Sequence, residues 1–489
     1  MHDLQGKVTS VLKGLYRVVC VLLLLVVAAE PMTAMGMERA KRPNIVLILA
    51  DDLEAGNLAL FPKISQHLVR QGMSFDRTFV TNSWCCPSRA SILRSQYVHS
   101  HGVLTNTAPE GGFDRFYQLS LDRSTVGTWM NDAGYRTALM GKYLNHYPGA
   151  SAAATYVPPG WDRWEVPVRN LYEEYGYTLN SSGKLVDYGW AETDYLSDVL
   201  ATKAGEFVAA SDDPFFLYLA PIGPHNPANP ALRHSNAFAD AKAPRTKSFN
   251  QDDVKAEPRW LRSLPKIKDV GIDRIDDRYR ARLRSMLGVD DLVGSVIDAL
   301  DKAGKLDDTY VIFASDNGFH LGTHRIKQGK TTPFEEAIRV PLVVRGPGVR
   351  AGAVNTDLCG TIDLGPTIAE LGGARLPSFA EGRSLVPFLR GQRPDRWRRN
   401  VLVEFNRPTS RVSAKQTPVP PYNALRTDRY TYVRYATGES QLYDLVADPH
   451  QLRNLAATAN PTLLFRLEYL LEGMRTCSGA SCRVADARR

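Results

Sequence analysis

Long apolar runs are nearly missing from this 489-residue sequence, and internal repeats, low-complexity tracts and blocks of one charge sign are missing altogether. The first lack excludes a many-span membrane protein, the second a solenoid or fibrous chain. The third leaves no basic tail for nucleic acid: 60 Lys and Arg stand against 52 Asp and Glu, and the excess of +8 is spread along the chain. Such a balance suits an anionic ligand and gives no sign of a nucleic-acid partner. Six cysteines are too few for a small disulfide-built scaffold. What remains is ordinary, with 44% hydrophobic and 23% charged residues, enough for a large globular core in one to about three domains.

The single long apolar run, residues 18–29 (VVCVLLLLVVAA), follows Lys7, Lys13 and Arg17. It is too short to span about 30 Å of bilayer as a helix. The basic flank, the short apolar stretch and the small residues at Val27/Ala29 or Ala34/Gly36 read as a secretory signal over 1–36, with an uncleaved anchor as the alternative. Export makes the cysteines interpretable. Cys477 and Cys482, in CSGASC with no His pair beside them, favour a small disulfide loop over a metal site. Cys359 reads as a buried thiol. Cys85 and Cys86 are adjacent in a polar setting, an odd place for structural cysteines. Asn180-Ser-Ser is the one N-glycosylation sequon.

Continuous apolar runs at Asn44–Ala50 (NIVLILA), 135–140, Phe215–Ala220 (FFLYLA) and 310–315 (YVIFAS) suit strands buried on both faces, as in a parallel sheet. Helical periodicity separates them, for example over 283–299, which predicts a doubly wound α/β domain. Each run ends in polar residues: Asp51-Asp52, Gly141-Lys142, a loop with His225, and Asp316-Asn317. Ligands bind beyond the carboxyl ends of strands in open parallel sheets, so these residues are expected to converge on one site. The stretch 227–282 lacks periodicity and reads as an excursion over the strand ends that shapes the substrate pocket. After Gly391 short strands over 401–405, 430–435 and 441–445 predict an antiparallel sheet, followed by a helix with Leu463, Leu467, Leu470, Leu471 and Met474 on one face.

Asp51, Asp52, Asp316 and Asn317 offer three carboxylates and a carboxamide oxygen, a set that suits one hard divalent cation, calcium first and magnesium second. Helix N-capping is the competing use of each acidic pair. Read alone, Cys85 is a candidate thiolate beside Arg89 or half of a vicinal disulfide.

The run CCPSRASIL from Cys85, with Leu93 at its ninth position, resembles the signature of the type I, formylglycine-dependent sulfatases of the alkaline phosphatase superfamily. PNIVLILADD from Pro43, SDNG from Ser315, GKY from Gly141, PHNP from Pro224, and Gly329-Lys330 with FEE from Phe334 are similar to further motifs of that family, so the resemblance covers nearly the whole mature chain. CCPSRASIL, YVHSHGV and the run 276–291 look most like the N-acetylglucosamine-6-sulfatase group and its bacterial relatives. Two departures stand out: Arg94-Ser95-Gln96 follows Leu93, and Leu144 stands two residues after the lysine where many arylsulfatases have histidine. Asn145 and His146 are candidates to compensate.

The resemblance implies a sandwich of a large, mostly parallel sheet flanked by helices, a catalytic α/β domain over 37–395, and a smaller C-terminal antiparallel sheet and helix over 396–489. It implies that a formylglycine-generating enzyme oxidises Cys85 to 3-oxoalanine during export, and that the hydrated aldehyde, ionised by the metal, attacks sulfur. Cys85 would thus stand at the metal beside Asp51, Asp52, Asp316 and Asn317. Lys142 and Lys330 would neutralise the sulfate oxygens, His225 or Lys330 would protonate the leaving alcohol, Arg89 would orient the formylglycine, and His324 would touch substrate. The substrate would be a sulfated saccharide of the N-acetylglucosamine-6-sulfate type, or an aryl sulfate, met by a secreted or periplasmic enzyme. The alternatives are a phosphodiesterase or phosphonate monoester hydrolase of the same superfamily, and a non-catalytic binder of sulfated glycans.

Overall fold

Short runs of Ile, Val, Leu and Phe with no polar alternation suit strands whose two faces are both covered. The computed structural model, which describes residues 42–56, 58–406 and 419–489, places four of them side by side. Thr309–Ser315, Asn44–Ala50, Phe215–Ala220, Arg136–Gly141 and then Arg163–Arg169 pair in parallel through the middle of a ten-stranded sheet. The signal peptide and its cleavage sites lie outside the described residues.

Antiparallel pairs flank this parallel centre on both sides. Leu342–Arg345 and Met73–Phe75 extend one side, the latter bordered in parallel by Ala353–Asn355, and Thr178–Ser181 with Lys184–Asp187 extend the other. The strand Asn44–Ala50 shows why the core is two-sided. Ile45, Leu47 and Leu49 face a layer with Ala90, Trp129, Leu364 and Ile368, whereas Val46 and Ile48 face the helices Leu196–Ala209 and Asp269–Lys302. Each such fully buried side chain contributes roughly 1.5–3 kcal/mol.

The helix Asp269–Lys302 starts 14 residues before the predicted 283, so the excursion is really residues 227–268 followed by helix. Its early turns are rich in Asp and Arg and bury Ile275, Asp276, Tyr279 and Arg282, of which two are charged, too sparse an apolar stripe to read as helix. A second sheet of four antiparallel strands, Asn400–Phe405, Tyr422–Thr427, Tyr430–Tyr435 and Ser440–Asp444, follows. One face packs Val401, Val403 and Ala424 against Phe79, Trp260 and Phe334, and the other holds the helix Pro461–Arg475 through Leu467, Leu470, Leu471 and Met474. Residues 43–489 form one compact unit. Cys477 and Cys482 are disulfide-bonded and Cys359 is a buried free thiol. Among the described residues no helix is long and apolar enough to cross a membrane. The sequon residue Asn180 is fully buried, its Nδ2 donating to Tyr147 Oη at 2.9 Å and to the Tyr156 carbonyl at 3.0 Å, which leaves no room for a glycan.

Candidate active site

Four adjacent parallel strands deliver their polar ends to one place in the order Asp316, Asp51, His225 and Lys142. Gly141 makes the last delivery possible: its φ is +98°, and a Cβ there would stand 2.2 Å from the Ala220 carbonyl oxygen. Asp52 takes a left-handed backbone, φ 70°, which points its N–H at Asp316 Oδ1, 3.1 Å away. A strained non-glycine residue of this kind persists only where its surroundings hold it, and such residues cluster at functional sites.

Cys85 opens the helix Cys85–Arg94 and is fully buried. Its Sγ lies 3.7 Å from Asp51 Oδ1, 3.9 Å from Asp52 Oδ1 and 2.6 Å from Lys330 Nζ. The helix N-terminus there favours negative charge, and Asn106 Oδ1 accepts from the Cys86 N–H at 2.9 Å. Burial pushes the Cys85 thiol up to about 12 despite Lys142 and Lys330. That argues against the thiolate alternative, and both Cys85 and Cys86 are free, which removes the vicinal disulfide.

Arg89, one turn along the same helix face, donates from Nε to Asp316 Oδ2 at 2.7 Å and from Nη1 to the Lys142 carbonyl at 2.8 Å. It therefore braces the Asp316 carboxylate and the lysine turn, while its Nη2 is buried without a hydrogen-bond partner among the described residues. Lys142 Nζ donates to Asp51 Oδ2 at 2.6 Å with both side chains fully buried, and Lys330 pairs with Asp52 Oδ1. Burial would raise both aspartates, but Lys142 and His225 at Asp51, and Lys330 and His225 at Asp52, outweigh it and hold them below the usual range. Asp316 goes the other way, to about 6, because burial and the charge of Asp51 exceed the pull of Arg89.

Ligand atoms of Asp51, Asp52, Cys85 and His225 lie within 4.8 Å of one another. His225 thus joins the group expected to hold the cation, while the two oxygens of Asp316 are engaged by Asp52 N–H and Arg89. Asn317 donates from Nδ2 to Asp52 Oδ1 at 2.7 Å, and its Oδ1 is buried with no hydrogen-bond partner. An orphaned carboxamide oxygen beside anionic carboxylates is a donor set that a hard divalent cation fits. His225 Nδ1 faces the Asn226 carbonyl at 2.6 Å, so it carries the hydrogen, leaving Nε2 toward Asp52 Oδ2 at 3.8 Å. Burial lowers its affinity for a second proton, against the pull of Asp51 and Asp52.

His324 does not join this group. It is fully buried, Nδ1 lies 2.8 Å from Gln251 Oε1, the ring stacks on Phe334 at 3.8 Å, and Nε2 faces Glu336. Its Nε2 has no hydrogen-bond partner among the described residues, with Glu336 Oε2 3.7 Å away. Within the excursion 227–268, Arg233 pairs with Asp198 and Asp291, Arg245 with Asp276 and Lys266 with Asp252.

Sequence reasoning missed Tyr172. Its ring stacks on His225 at 4.2 Å, lies under Lys142 Nζ at 5.1 Å, and its hydroxyl accepts from Asn145 Nδ2 at 2.9 Å. No motif or period marks it, because it sits in a short turn after the strand Arg163–Arg169. Asn145 reaches the site through Tyr172, and His146 is exposed.

Comparison with known proteins agrees with this geometry. A family model described as Sulfatase matches residues 43–374, and one described as N-sulphoglucosamine sulphohydrolase, C-terminal, matches 322–475. The chain is 34% identical to N-acetylglucosamine-6-sulfatase of Capra hircus, over 91% of this chain and 85% of that one. It is 32% identical to an arylsulfatase of Volvox carteri, over 90% and 76%. Among solved structures, one holding its substrate D-glucosamine-2-N,6-O-disulfate has a TM-score of 0.76 at 23% identity, over 91% of this chain and 99% of that one. The phosphonate monoester hydrolase of Agrobacterium radiobacter has a TM-score of 0.69 at 22% identity, over 89% and 96%, and shares the fold. The chain belongs to the sulfatase family and is a sulfuric ester hydrolase.

Proposed function

We propose that this sulfatase is exported, that Cys85 is converted to formylglycine by a maturation enzyme, and that the mature protein removes sulfate from a saccharide of the N-acetylglucosamine-6-sulfate type, with aryl sulfates as surrogates. One observation carries the reading. Cys85 sits buried at a helix N-terminus between two lysines and two carboxylates, at the strand ends. Burial works against the thiolate there, which favours the hydrated aldehyde over the thiol as the nucleophile. The similarity to curated N-acetylglucosamine-6-sulfatases supports the substrate class.

Asp51, Asp52, Asp316 and Asn317 would hold a divalent cation, calcium first, with His225 beside them. When bound, that cation supplies positive charge against the sulfate oxygens and lowers the pKa of the hydrated aldehyde. The remaining work falls to the chain. Lys142 and Lys330, both kept charged because their aspartate partners outweigh burial, neutralise the non-bridging oxygens as charge redistributes. Arg89 fixes the Asp316 carboxylate and the Lys142 backbone, acting as a positioning residue. The leaving alcohol takes its proton from Lys330, charged at neutral pH, or from His225 once substrate binding has brought a second proton to Nε2, a ring whose orientation the Asn226 carbonyl and the Tyr172 ring fix. The 37–395 and 396–489 division remains our working description of catalytic and C-terminal parts.

Peptide mass analysis across residue 85, paired with sulfate release, tests the reading. Mature protein should carry an aldehyde there, Cys85→Ala should be inactive, and Cys86→Ala should keep activity. Unmodified Cys85 in fully active enzyme would refute it. Comparative turnover of aryl sulfate and aryl phosphonate addresses the second reading, which the shared fold of phosphonate hydrolases keeps in view.

A further inference from the structure

Beside the reaction centre, the turn 143–147 and the segment 166–173 enclose a cleft of about 310 Å³, near the lower end for ligand pockets and sized for one sugar ring rather than a chain. Tyr172 belongs to both places: it lines the cleft and stacks on His225. Arg169 lines the same cleft and is exposed. Among the described residues it has no carboxylate partner, unlike Arg233, Arg245 and Arg282, which pair with Asp198, Asp276 and Glu54. The strand register slips between Pro167 and Arg169, so Val168 has no partner opposite it. Such irregularities bend a strand and re-aim the side chain that follows. His146 and Asn170, on opposite walls, take left-handed backbones, φ 63° and 50°. Strain of this kind, off the glycine positions, collects at ligand sites.

We propose that this cleft seats the sugar ring carrying the sulfate ester, and that Arg169 at its rim reads a second anionic group. That group is an N-sulfate on the same ring or the carboxylate of a neighbouring hexuronate. The inference rests on the saccharide reading above. Arg suits the task because its planar fork matches sulfate and carboxylate oxygens two at a time. A partly exposed contact of this kind strengthens binding more than chemistry, so it acts on KM.

The test compares Arg169→Ala with wild type on four substrates: an aryl sulfate, 6-sulfated N-acetylglucosamine, N,6-disulfated glucosamine, and a 6-sulfated disaccharide bearing a hexuronate. Wild type should prefer one or both of the two-anion substrates, and the preference should shrink as salt rises. Arg169→Ala should lose about tenfold in kcat/KM on the preferred substrate, through KM, with aryl sulfate and 6-sulfated N-acetylglucosamine within about twofold. Which two-anion substrate is lost identifies the group read. Equal losses on all four, or no wild-type preference for a second anion, overturns the role of Arg169. Aryl sulfate turnover with no sugar cleaved refutes the saccharide reading instead.

Discussion

His101 is fully buried seven residues past the helix that carries Cys85, where a second proton on its ring is unfavourable. The Val103 N–H donates to Nδ1 at 3.1 Å, so Nε2 carries the hydrogen and faces Ser91 Oγ at 3.0 Å, within that helix. Burial, with Arg94 and His99 adding to it, lowers the group from 6.5 to about 3. A base with a depressed folded pKa contributes stability that is present above 6.5 and is lost as pH falls from there toward about 3, since only the unfolded chain takes up the proton in that window. At pH 5 the loss from this group alone is about 2 kcal/mol relative to pH 8. His101→Gln keeps an amide in place of the ring but cannot titrate. It should be less stable than wild type at pH 8 by about 1–3 kcal/mol through lost packing and a lost hydrogen bond, yet should lose about 2 kcal/mol less than wild type between pH 8 and pH 5. Urea unfolding followed by tryptophan fluorescence reads this directly, because Trp129, Trp161 and Trp164 share the core cluster of Ala90 and Ile92. An equal loss in both proteins would refute the assignment of His101 as a buried neutral base.

Three further outcomes follow from the site. Asn317→Ala and Asp52→Ala should each lose bound calcium by elemental analysis and at least about a hundredfold in sulfate release, and full occupancy in both variants would remove the metal assignment. Lys142→Ala leaves Asp51 buried without its 2.6 Å partner, so it should cost about 3–5 kcal/mol in stability as well as about 10²–10³ in turnover. Wild-type stability with wild-type turnover would contradict both claims. If His225 or Lys330 protonates the leaving group, its alanine variant should lose far more on sugar sulfates than on nitrophenyl sulfate, whose anion leaves unaided. Losses equal across leaving groups in both variants would assign that proton elsewhere.

The sequence by itself determined the parallel centre of the fold and the residues at its strand ends. NIVLILA and FFLYLA are apolar on both faces, which only a covered parallel strand accommodates, and polar residues directly after such strands are carried to the same edge of the sheet. Tertiary structure alone decided the rest, since those features depend on partners far away in sequence. Asp269–Lys302 is a single helix because its weak first turns dock on the sheet and on 237–245 through Asp276 and Arg284. His324 is withdrawn from the site by Gln251 and Phe334, and Asn180 by Tyr147 and Tyr156. Arg169 ends the strand Arg163–Arg169, whose register slip breaks the period, and Tyr172 sits in the short turn after it. Local pattern reports which face of an element is buried; it carries no information about which distant side chain waits on the other side.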